Sequence, residues 1–197
     1  MNIVIAGVGG QGTVLLSRLI GGAAVAKRWR VRGTETIGMA QRGGGVVSHV
    51  RIAAQDEPIA SPLIPPGKAD LLVAFEPGEA VRAYPLLKKG GAAVVLDRAI
   101  KPVTSSLKGD DYTGGDMTAF LRTNVERLIL VDGETLIRAL GTAKAVNVAL
   151  FGVALGAGLL PFDFDDAERA MAERIPERLM EMNRRALLLG KEIAGLT

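Results

Sequence analysis

The chain has 197 residues, of which 48% are hydrophobic and 25 are glycine, a composition typical of one well-packed α/β domain. Its 24 basic and 21 acidic residues are interspersed and leave a formal net charge of +3, so we expect no nucleic-acid partner. The absence of cysteine excludes disulfides, thiolate metal sites, a cysteine nucleophile and any iron–sulfur cluster held by this chain alone.

The first predicted element is a buried parallel strand, Asn2 to Ala6, which ends in a glycine loop. Glycines at positions 7, 9 and 12 have the G-x-G-x-x-G spacing that joins a strand to a helix, here predicted over Gly12 to Lys27. A short second strand, Val31 to Glu35, is expected to return beside the first and complete a βαβ unit. The alternative is that the glycines only permit close packing of the helix on the strand.

The segment Thr36 to Gly45 is glycine-rich and predicts a loop, and Val46 to Ile52 predicts a strand with alternating faces. This strand contains the single histidine, His49, which we interpret as structural rather than catalytic. The proline-rich stretch from Ser61 to Gly67 predicts a rigid, extended connector. It leads to another buried strand, Asp70 to Phe75.

The middle of the chain alternates between strand and helix signals, with one polar stretch that lacks apolar periodicity. The predicted elements are a helix from Pro77 to about Lys89, a strand from Ala92 to Asp97, an irregular segment over residues 101–127 with at most one short helical turn, a strand from Leu128 to Val131, and a helix from Gly133 to Leu140.

The stretch from Val146 to Leu159 is apolar nearly all round, which predicts a buried helix. Gly152 and Gly156 are four residues apart and would give that helix a smooth strip for close packing. Asn147 is the polar exception and must find a hydrogen-bond partner if it is buried.

The last part of the chain predicts two more helices. Asp163 followed by Asp166 is typical of a helix N-cap. A single helical stripe then follows Pro176, and we expect it to dock on the domain or on another subunit; the stripe consists of Leu179, Met182, Ala186, Leu189 and Ile193. The fold class is therefore α/β, a Rossmann-like, doubly wound and mostly parallel sheet with helices on both faces, in a single domain over residues 1–197.

The N-terminus begins directly with strand residues and shows no signal segment, and the longest apolar run, Val146 to Pro161, is too short to span a bilayer comfortably. We therefore expect a cytoplasmic protein with no membrane partner. Self-association is also expected, because so apolar a chain would bury one of its late helical faces against another protein.

The glycine loop favours an anionic ligand, since the first amides of the following helix carry the positive end of its dipole. Glu35 lies 23 residues after Gly12, near the position where a dinucleotide-binding fold holds a ribose. A stand-alone NAD-dependent dehydrogenase is one hypothesis from these residues. Against it, the sequence contains no convincing acid–base set, no metal-ligand spacing and no nucleophile motif.

Four stretches carry a resemblance to a known family. They are Gly7-Val8-Gly9-Gly10-Gln11-Gly12, Glu35 to Gly44, Ser61-Pro62-Leu63-Ile64-Pro65, and Asp70 to Pro77. Together they resemble the small, gamma-type component of 2-oxoacid:ferredoxin oxidoreductases. Asn147 and Leu150 to Gly152 also fit the late Asn-x-x-x-apolar-Gly pattern of that family. The form Gly-Met-Ala-Gln-Arg-Gly-Gly, residues 38–44, is similar to the beta subunit of the indolepyruvate branch.

The resemblance implies the small subunit of a complex that oxidatively decarboxylates indolepyruvate or other aryl pyruvates to an acyl-coenzyme A and reduces ferredoxin. Thiamine diphosphate and iron–sulfur clusters would belong to a larger partner subunit, and coenzyme A would be the co-substrate. The isolated chain would be inactive, with no catalytic residue and no metal ligand of its own, and heterotetramers are expected.

The resemblance also implies a set of coenzyme A-binding residues, in which Arg42 would add a fixed charge to the glycine loop. The expected contacts are Gly7, Gly9, Gly10, Gln11, Gly12, Glu35, Met39, Gln41, Arg42 and Gly43. For Glu35 and Arg42, an internal ion pair that holds the loop is the alternative. The open alternatives for function are a pyruvate, 2-oxoisovalerate or 2-oxoglutarate enzyme, the dehydrogenase, and a non-catalytic assembly subunit.

Overall fold

A six-stranded sheet forms the centre of the protein. The structure is a computed structural model that describes residues 1–38, 44–100 and 113–196. The strands are β1 (Asn2–Val8), β2 (Arg30–Ile37), β3 (Gly45–Ala53), β4 (Ala69–Ala74), β5 (Leu87–Asp97) and β6 (Arg127–Asp132).

The strand order is β2-β3-β1-β4-β5-β6. Strands β1, β4, β5 and β6 are parallel, whereas β3 is antiparallel to both of its neighbours. The expectation that β2 pairs with β1 is therefore wrong, because β3 lies between them. The connection from β2 to β3 is short, and a short connection joins antiparallel neighbours, whereas a parallel pair needs a long crossover.

Helices cover both faces of the sheet, as expected. They are α1 (Thr13–Ala26), α2 (Pro77–Ala83), α3 (Gly115–Asn124), α4 (Gly133–Leu140), α5 (Val146–Gly156), α6 (Phe164–Ala172) and α7 (Glu177–Ala194). One core cluster joins α1 and α4–α7 to the face of β1 that carries Ile3 and Ile5. A second cluster joins α2 and α3 to the opposite face, which carries Val4 and Ala6. In the described parts of the chain, no helix combines the length and apolarity needed to cross a membrane.

Two middle elements differ from the sequence predictions. The helix that begins at Pro77 ends at Ala83, and a 3₁₀ turn at Tyr84–Leu86 then leads into β5; Pro85 within that turn lacks the backbone donor that a longer helix would need. The expected irregular segment over residues 101–127 instead includes the ten-residue helix α3. Residues 101–112 of that segment lie outside the described residues.

Helix α7 docks directly on α5 through glycines. A Cβ on Gly152 would overlap the carbonyl oxygen of Leu187, and a Cβ on Gly190 would overlap that of Ala149. The backbones of the two helices are thus in contact at this crossing, which confirms the close packing expected of Gly152. The stripe expected on α7 packs on the domain except at its first residue, since Ala186 is buried and Met182, Leu189 and Ile193 lie against the core, whereas Leu179 is exposed. The other buried positions on this helix are Met180, Asn183, Leu187 and Gly190.

An ion-pair cluster ties the end of α1 to the start of α6. Asp166 is 1% exposed and lies 2.8 Å from Lys27 Nζ and 2.6 Å from Arg169 Nη2. Asp163 and Asp166 form a reciprocal capping box, which confirms the expected N-cap. Burial by itself raises the pKa of Asp166, but the hydrogen bonds from Lys27, Asp163 and Arg169 outweigh it and lower that pKa to about 2.

Candidate functional site

The candidate site lies at the edge of the sheet where β1 and β4 end and β3 begins. The chain leaves β1 into α1 on one face of the sheet, whereas it leaves β4 into α2 on the opposite face. Adjacent parallel strands with this arrangement open a crevice at their carboxyl ends, and open α/β sheets bind ligands there. The glycine loop, residues 7–12, begins at the end of β1 and lies at this crevice.

Packing requires glycine at the two ends of the loop. A Cβ on Gly7 would lie 2.9 Å from Thr13 Cγ2 and 3.1 Å from Phe75 Cβ. Gly12 has a φ of +86° and a Cβ there would lie 2.6 Å from Asn147 Nδ2. These two positions agree with the alternative in which the glycines serve close packing.

Gly9 has no such structural reason. Among the described residues, a Cβ there would meet only the carbonyl oxygen of Gly44, at 3.8 Å, and its backbone lies outside the left-handed region. Gly10 differs again, because its φ is +97° although no atom of the described part of the chain lies within 4 Å of the added Cβ. Glycine at position 9 is therefore best explained by a ligand, because the missing side chain leaves the loop backbone open to a molecule that approaches from outside.

Gln11 holds the loop closed. Its Oε1 accepts a hydrogen bond from the backbone amide of Val8 at 2.7 Å, and its Nε2 donates to the carbonyl oxygen of Phe75 at 3.1 Å. Both ends of the side-chain amide are thus engaged between the ends of β1 and β4. Gln11 was expected among the ligand contacts. This geometry indicates that its side chain holds the loop in place through hydrogen bonds to the backbone of the site.

The N-terminus of α1 carries no side-chain cap. Its N-cap is Gly12, and the first turn contains no acidic residue. By contrast, the carboxylates of Glu76, Asp132 and Asp163 cap α2, α4 and α6. The first amides of α1 therefore keep their hydrogen-bonding capacity and their partial positive charge, a combination that suits phosphate and other anions.

The connection between β2 and β3 begins and ends beside the glycine loop. The amide of Gly38 donates to the carbonyl oxygen of Gly45 at 2.9 Å, and the amide of Gly9 donates to that of Gly44 at 3.0 Å. Four of the expected contacts on this connection lie outside the described residues and stay predictions; they are Met39, Gln41, Arg42 and Gly43.

Two glutamates line the other side of the crevice and were not anticipated as part of it. Glu76 accepts a hydrogen bond from the amide of Glu79 at 2.8 Å. The Glu79 carboxylate lies against Gly45, since a Cβ there would be 2.7 Å from its Oε2. Burial raises the pKa of Glu79, and Glu76 adds to this shift while Arg82 opposes it.

Glu35 lies apart from the glycine loop. It accepts a hydrogen bond from Ser17 Oγ at 3.4 Å, one turn into α1, and lines a groove of about 410 Å³ together with Arg18 and Arg174. Because β3 separates β2 from β1, Glu35 is two strand spacings, or about 10 Å, from β1. A dinucleotide-binding fold holds the ribose with an acidic side chain close to the glycine loop, so this arrangement disfavours the dehydrogenase hypothesis.

The single histidine has a structural contact. His49 Nδ1 accepts a hydrogen bond from the amide of Ile64 at 3.3 Å, and the side chain is buried on the face of the sheet that carries Val4. Burial lowers its pKa. The interpretation of His49 as structural agrees with this environment, which anchors the proline-rich connector on β3.

Comparison with known proteins gives one family over almost the whole chain. The family model described as pyruvate ferredoxin/flavodoxin oxidoreductase matches residues 2–193. An indolepyruvate oxidoreductase subunit IorB from Archaeoglobus fulgidus is 36% identical over 191 residues, which cover 96% of this chain and 93% of the relative. The IorB subunit of Thermococcus kodakarensis is 34% identical over 201 residues, which cover 99% and 98%.

Solved structures share the fold. The gamma subunit of a keto/oxoacid ferredoxin oxidoreductase from Geobacter sulfurreducens superposes with a TM-score of 0.70 at 24% identity, covering 100% of this chain and 99% of that one. A 2-oxoglutarate:ferredoxin oxidoreductase from Magnetococcus marinus, solved with 2-oxoglutarate, coenzyme A and succinyl-CoA bound, gives a TM-score of 0.74 at 16% identity. That match covers all of this chain and 31% of the other.

Proposed function

Because this chain belongs to the pyruvate ferredoxin/flavodoxin oxidoreductase family, we propose that it is the small subunit of a ferredoxin-dependent 2-oxoacid oxidoreductase. The proposed reaction is the oxidative decarboxylation of indolepyruvate or related aryl pyruvates to an acyl-coenzyme A. Support for this substrate class comes from the nearly full-length similarity to subunits named for indolepyruvate.

The main support for a role of this chain in binding coenzyme A is the uncapped N-terminus of α1 behind the glycine loop. It offers backbone amides and a positive dipole end at the crevice between β1 and β4, which suits the phosphates of coenzyme A. A structure of a family relative has coenzyme A bound. In our proposal Gly9 lets the ligand approach the backbone, and Arg42 supplies a charge from the neighbouring connection.

The division of labour in this proposal comes from the family, and the residue types agree with it. With no cysteine, the chain has no thiolate ligands for iron–sulfur clusters. In our proposal the clusters and thiamine diphosphate belong to a larger partner subunit, as the family resemblance implies. That partner carries out the decarboxylation and the electron transfer. The small subunit covers the active site and receives coenzyme A.

Reconstitution with the partner tests the proposal. The purified chain alone should show no turnover with indolepyruvate, coenzyme A and a low-potential dye, whereas the complex with the large subunit should be active. Robust turnover by the chain alone would overturn the subunit role, and NAD reduction by it would favour the dehydrogenase. Faster turnover of pyruvate, 2-oxoisovalerate or 2-oxoglutarate by the complex would correct the substrate.

The glycine loop is tested with Gly9→Val. Since a Cβ on Gly9 would meet only the carbonyl oxygen of Gly44, at 3.8 Å, among the described residues, this variant should melt near the wild-type temperature. It should nevertheless raise the KM for coenzyme A by about tenfold or more. Gly33→Val, on β2 with ordinary van der Waals distances around its added Cβ, is the matched control and should change neither quantity. If Gly9→Val and the control have the same KM, the loop serves packing only.

A further inference from the structure

A buried asparagine points its side-chain nitrogen at the glycine loop. Asn147 lies in the first turn of α5 and is 3% exposed. Measured to the position of a Cβ on Gly12, the distances are 2.6 Å from Nδ2, 3.1 Å from Cγ and 3.3 Å from Cβ. The side chain therefore extends toward Gly12 with its nitrogen foremost.

The hydrogen bond at the other end of the amide fixes this orientation. Asn147 Oδ1 accepts from the backbone amide of Val148 at 3.0 Å, and a backbone amide can only donate, so the oxygen must face Val148. Nδ2 makes no hydrogen bond to any of the described residues. Ser48 Oγ is the fully buried side-chain polar atom that lacks a partner among the described residues, so Nδ2 of Asn147 still reaches open space beside Gly12. Every other residue of α5 is apolar or glycine.

Two helix N-termini meet at this point. Gly12 is the N-cap of α1, and Asn147 is the second residue of α5, so their contact brings the positive ends of both helix dipoles together. Neither helix has an acidic residue in its first turn or a capping side chain at its N-cap. An anion beside Gly12 would therefore be stabilised by both helices and by the Asn147 donor.

We infer that Asn147 is a ligand-binding residue that donates from Nδ2 to a phosphate oxygen held at the N-terminus of α1. The inference rests on the proposed function for the identity of that phosphate, which would be a phosphate of coenzyme A.

Asn147→Asp is the sharpest test, because it keeps the size of the side chain and the acceptor for Val148 while replacing the donor with a negative charge. Binding of coenzyme A and of inorganic pyrophosphate to the purified chain is measured by calorimetry. We expect both dissociation constants to rise by about tenfold to a hundredfold. In the reconstituted complex the KM for coenzyme A should rise to a similar extent, with the KM for the 2-oxoacid unchanged.

Asn183→Asp is the matched control. Asn183 is equally buried, on α7, but its Nδ2 donates to the carbonyl oxygen of Leu179 at 2.8 Å, so the same exchange there should lower the melting temperature without changing ligand affinity in the folded fraction. If Asn147→Asp does not fold, Asn147→Ala removes the donor without adding charge. It should still weaken pyrophosphate binding by about tenfold.

The two proposals fail in different ways. Wild-type affinity in both Asn147 variants, in a complex that still depends on coenzyme A, would overturn the role of Asn147 and leave the proposed function standing. Weakened pyrophosphate binding by the variants, in a complex without coenzyme A-dependent activity, would support the anion site and overturn the proposed function.

Discussion

Replacing Asp166 by asparagine should destabilise the protein in a way that depends strongly on pH. The side chain keeps its shape in this variant, and its amide oxygen can still accept from the Asp163 amide. What is lost is the negative charge between Lys27 and Arg169, which lie 2.8 and 2.6 Å from the carboxylate oxygens. The perturbation thus removes charge from the junction of α1 and α6 with little change in packing.

The magnitude follows from the lowered pKa. Folding moves the pKa of Asp166 from 3.8 to about 2, and one pKa unit corresponds to 1.36 kcal/mol, so the ionised group contributes about 2 kcal/mol to the free energy of unfolding. Because the folded state has the lower pKa, the contribution is fully present above about pH 5 and is lost as the pH falls through 3.8 toward 2. At pH 3 roughly half of it should remain.

Urea unfolding of the wild type and of Asp166→Asn at pH 7, 5 and 3 measures this contribution. The difference in free energy of unfolding should be about 2 kcal/mol at the two higher values and clearly smaller at pH 3. Asp165→Asn, at an exposed neighbouring position in the same first turn, should change stability by less than about 0.5 kcal/mol. A difference for Asp166→Asn that is the same at pH 3 and pH 7 would refute the ionic explanation.

Two further predictions concern the α5–α7 crossing and the single histidine. Gly190→Ala should reduce the free energy of unfolding by about 3 kcal/mol, because the added Cβ would overlap the Ala149 carbonyl and lie 2.8 Å from the Val153 nitrogen. The control, Gly195→Ala, adds a Cβ with ordinary contacts and should be nearly neutral. Equal effects of the two substitutions in urea unfolding would contradict the close crossing. The ring-proton signal of His49 should titrate below pH 6.5, because burial disfavours its charged form, so stability should decline as the pH drops below that value. An NMR midpoint at or above 6.5 would show that His49 is not desolvated.

Local signals explain the elements that the sequence predicted well. The helix from Gly133 to Leu140 was placed at its observed bounds, because Asp132 accepts hydrogen bonds from its first amides and Gly141 ends it with a positive φ. These signals act over three or four residues and can be read in sequence order. The same holds for the capping box that begins α6.

Long-range contacts explain what could not be predicted. The insertion of β3 between β1 and β2 depends on pairings such as Ile5 with Ser48, which no local pattern specifies. On α7, hydrophobic periodicity found residues that pack on the core, such as Ala186 and Ile193, but it selects apolar side chains. It therefore could not reveal that Gly190 and Asn183 are also buried on this helix.

In the candidate site, too, local features could be predicted from the sequence and long-range contacts could not. The glycine spacing predicted a loop and a helix N-terminus, and both are present at the crevice. The sequence marked Asn147 as a polar residue that needs a partner and as part of a family pattern, but gave it no ligand role. Its position beside Gly12 required the three-dimensional arrangement of α1 and α5.

The glycine-mediated crossing of α5 and α7 also has a consequence for synthesis on the ribosome. Every residue of α5 from Val146 to Leu155 is buried, yet the helix that covers one of its sides ends only at Ala194. At elongation rates of about 5–20 residues per second, several seconds pass between the synthesis of α5 and the completion of α7. During this interval a nascent chain exposes its most apolar helix, so we expect chaperones that bind extended apolar segments to engage it before α7 is complete.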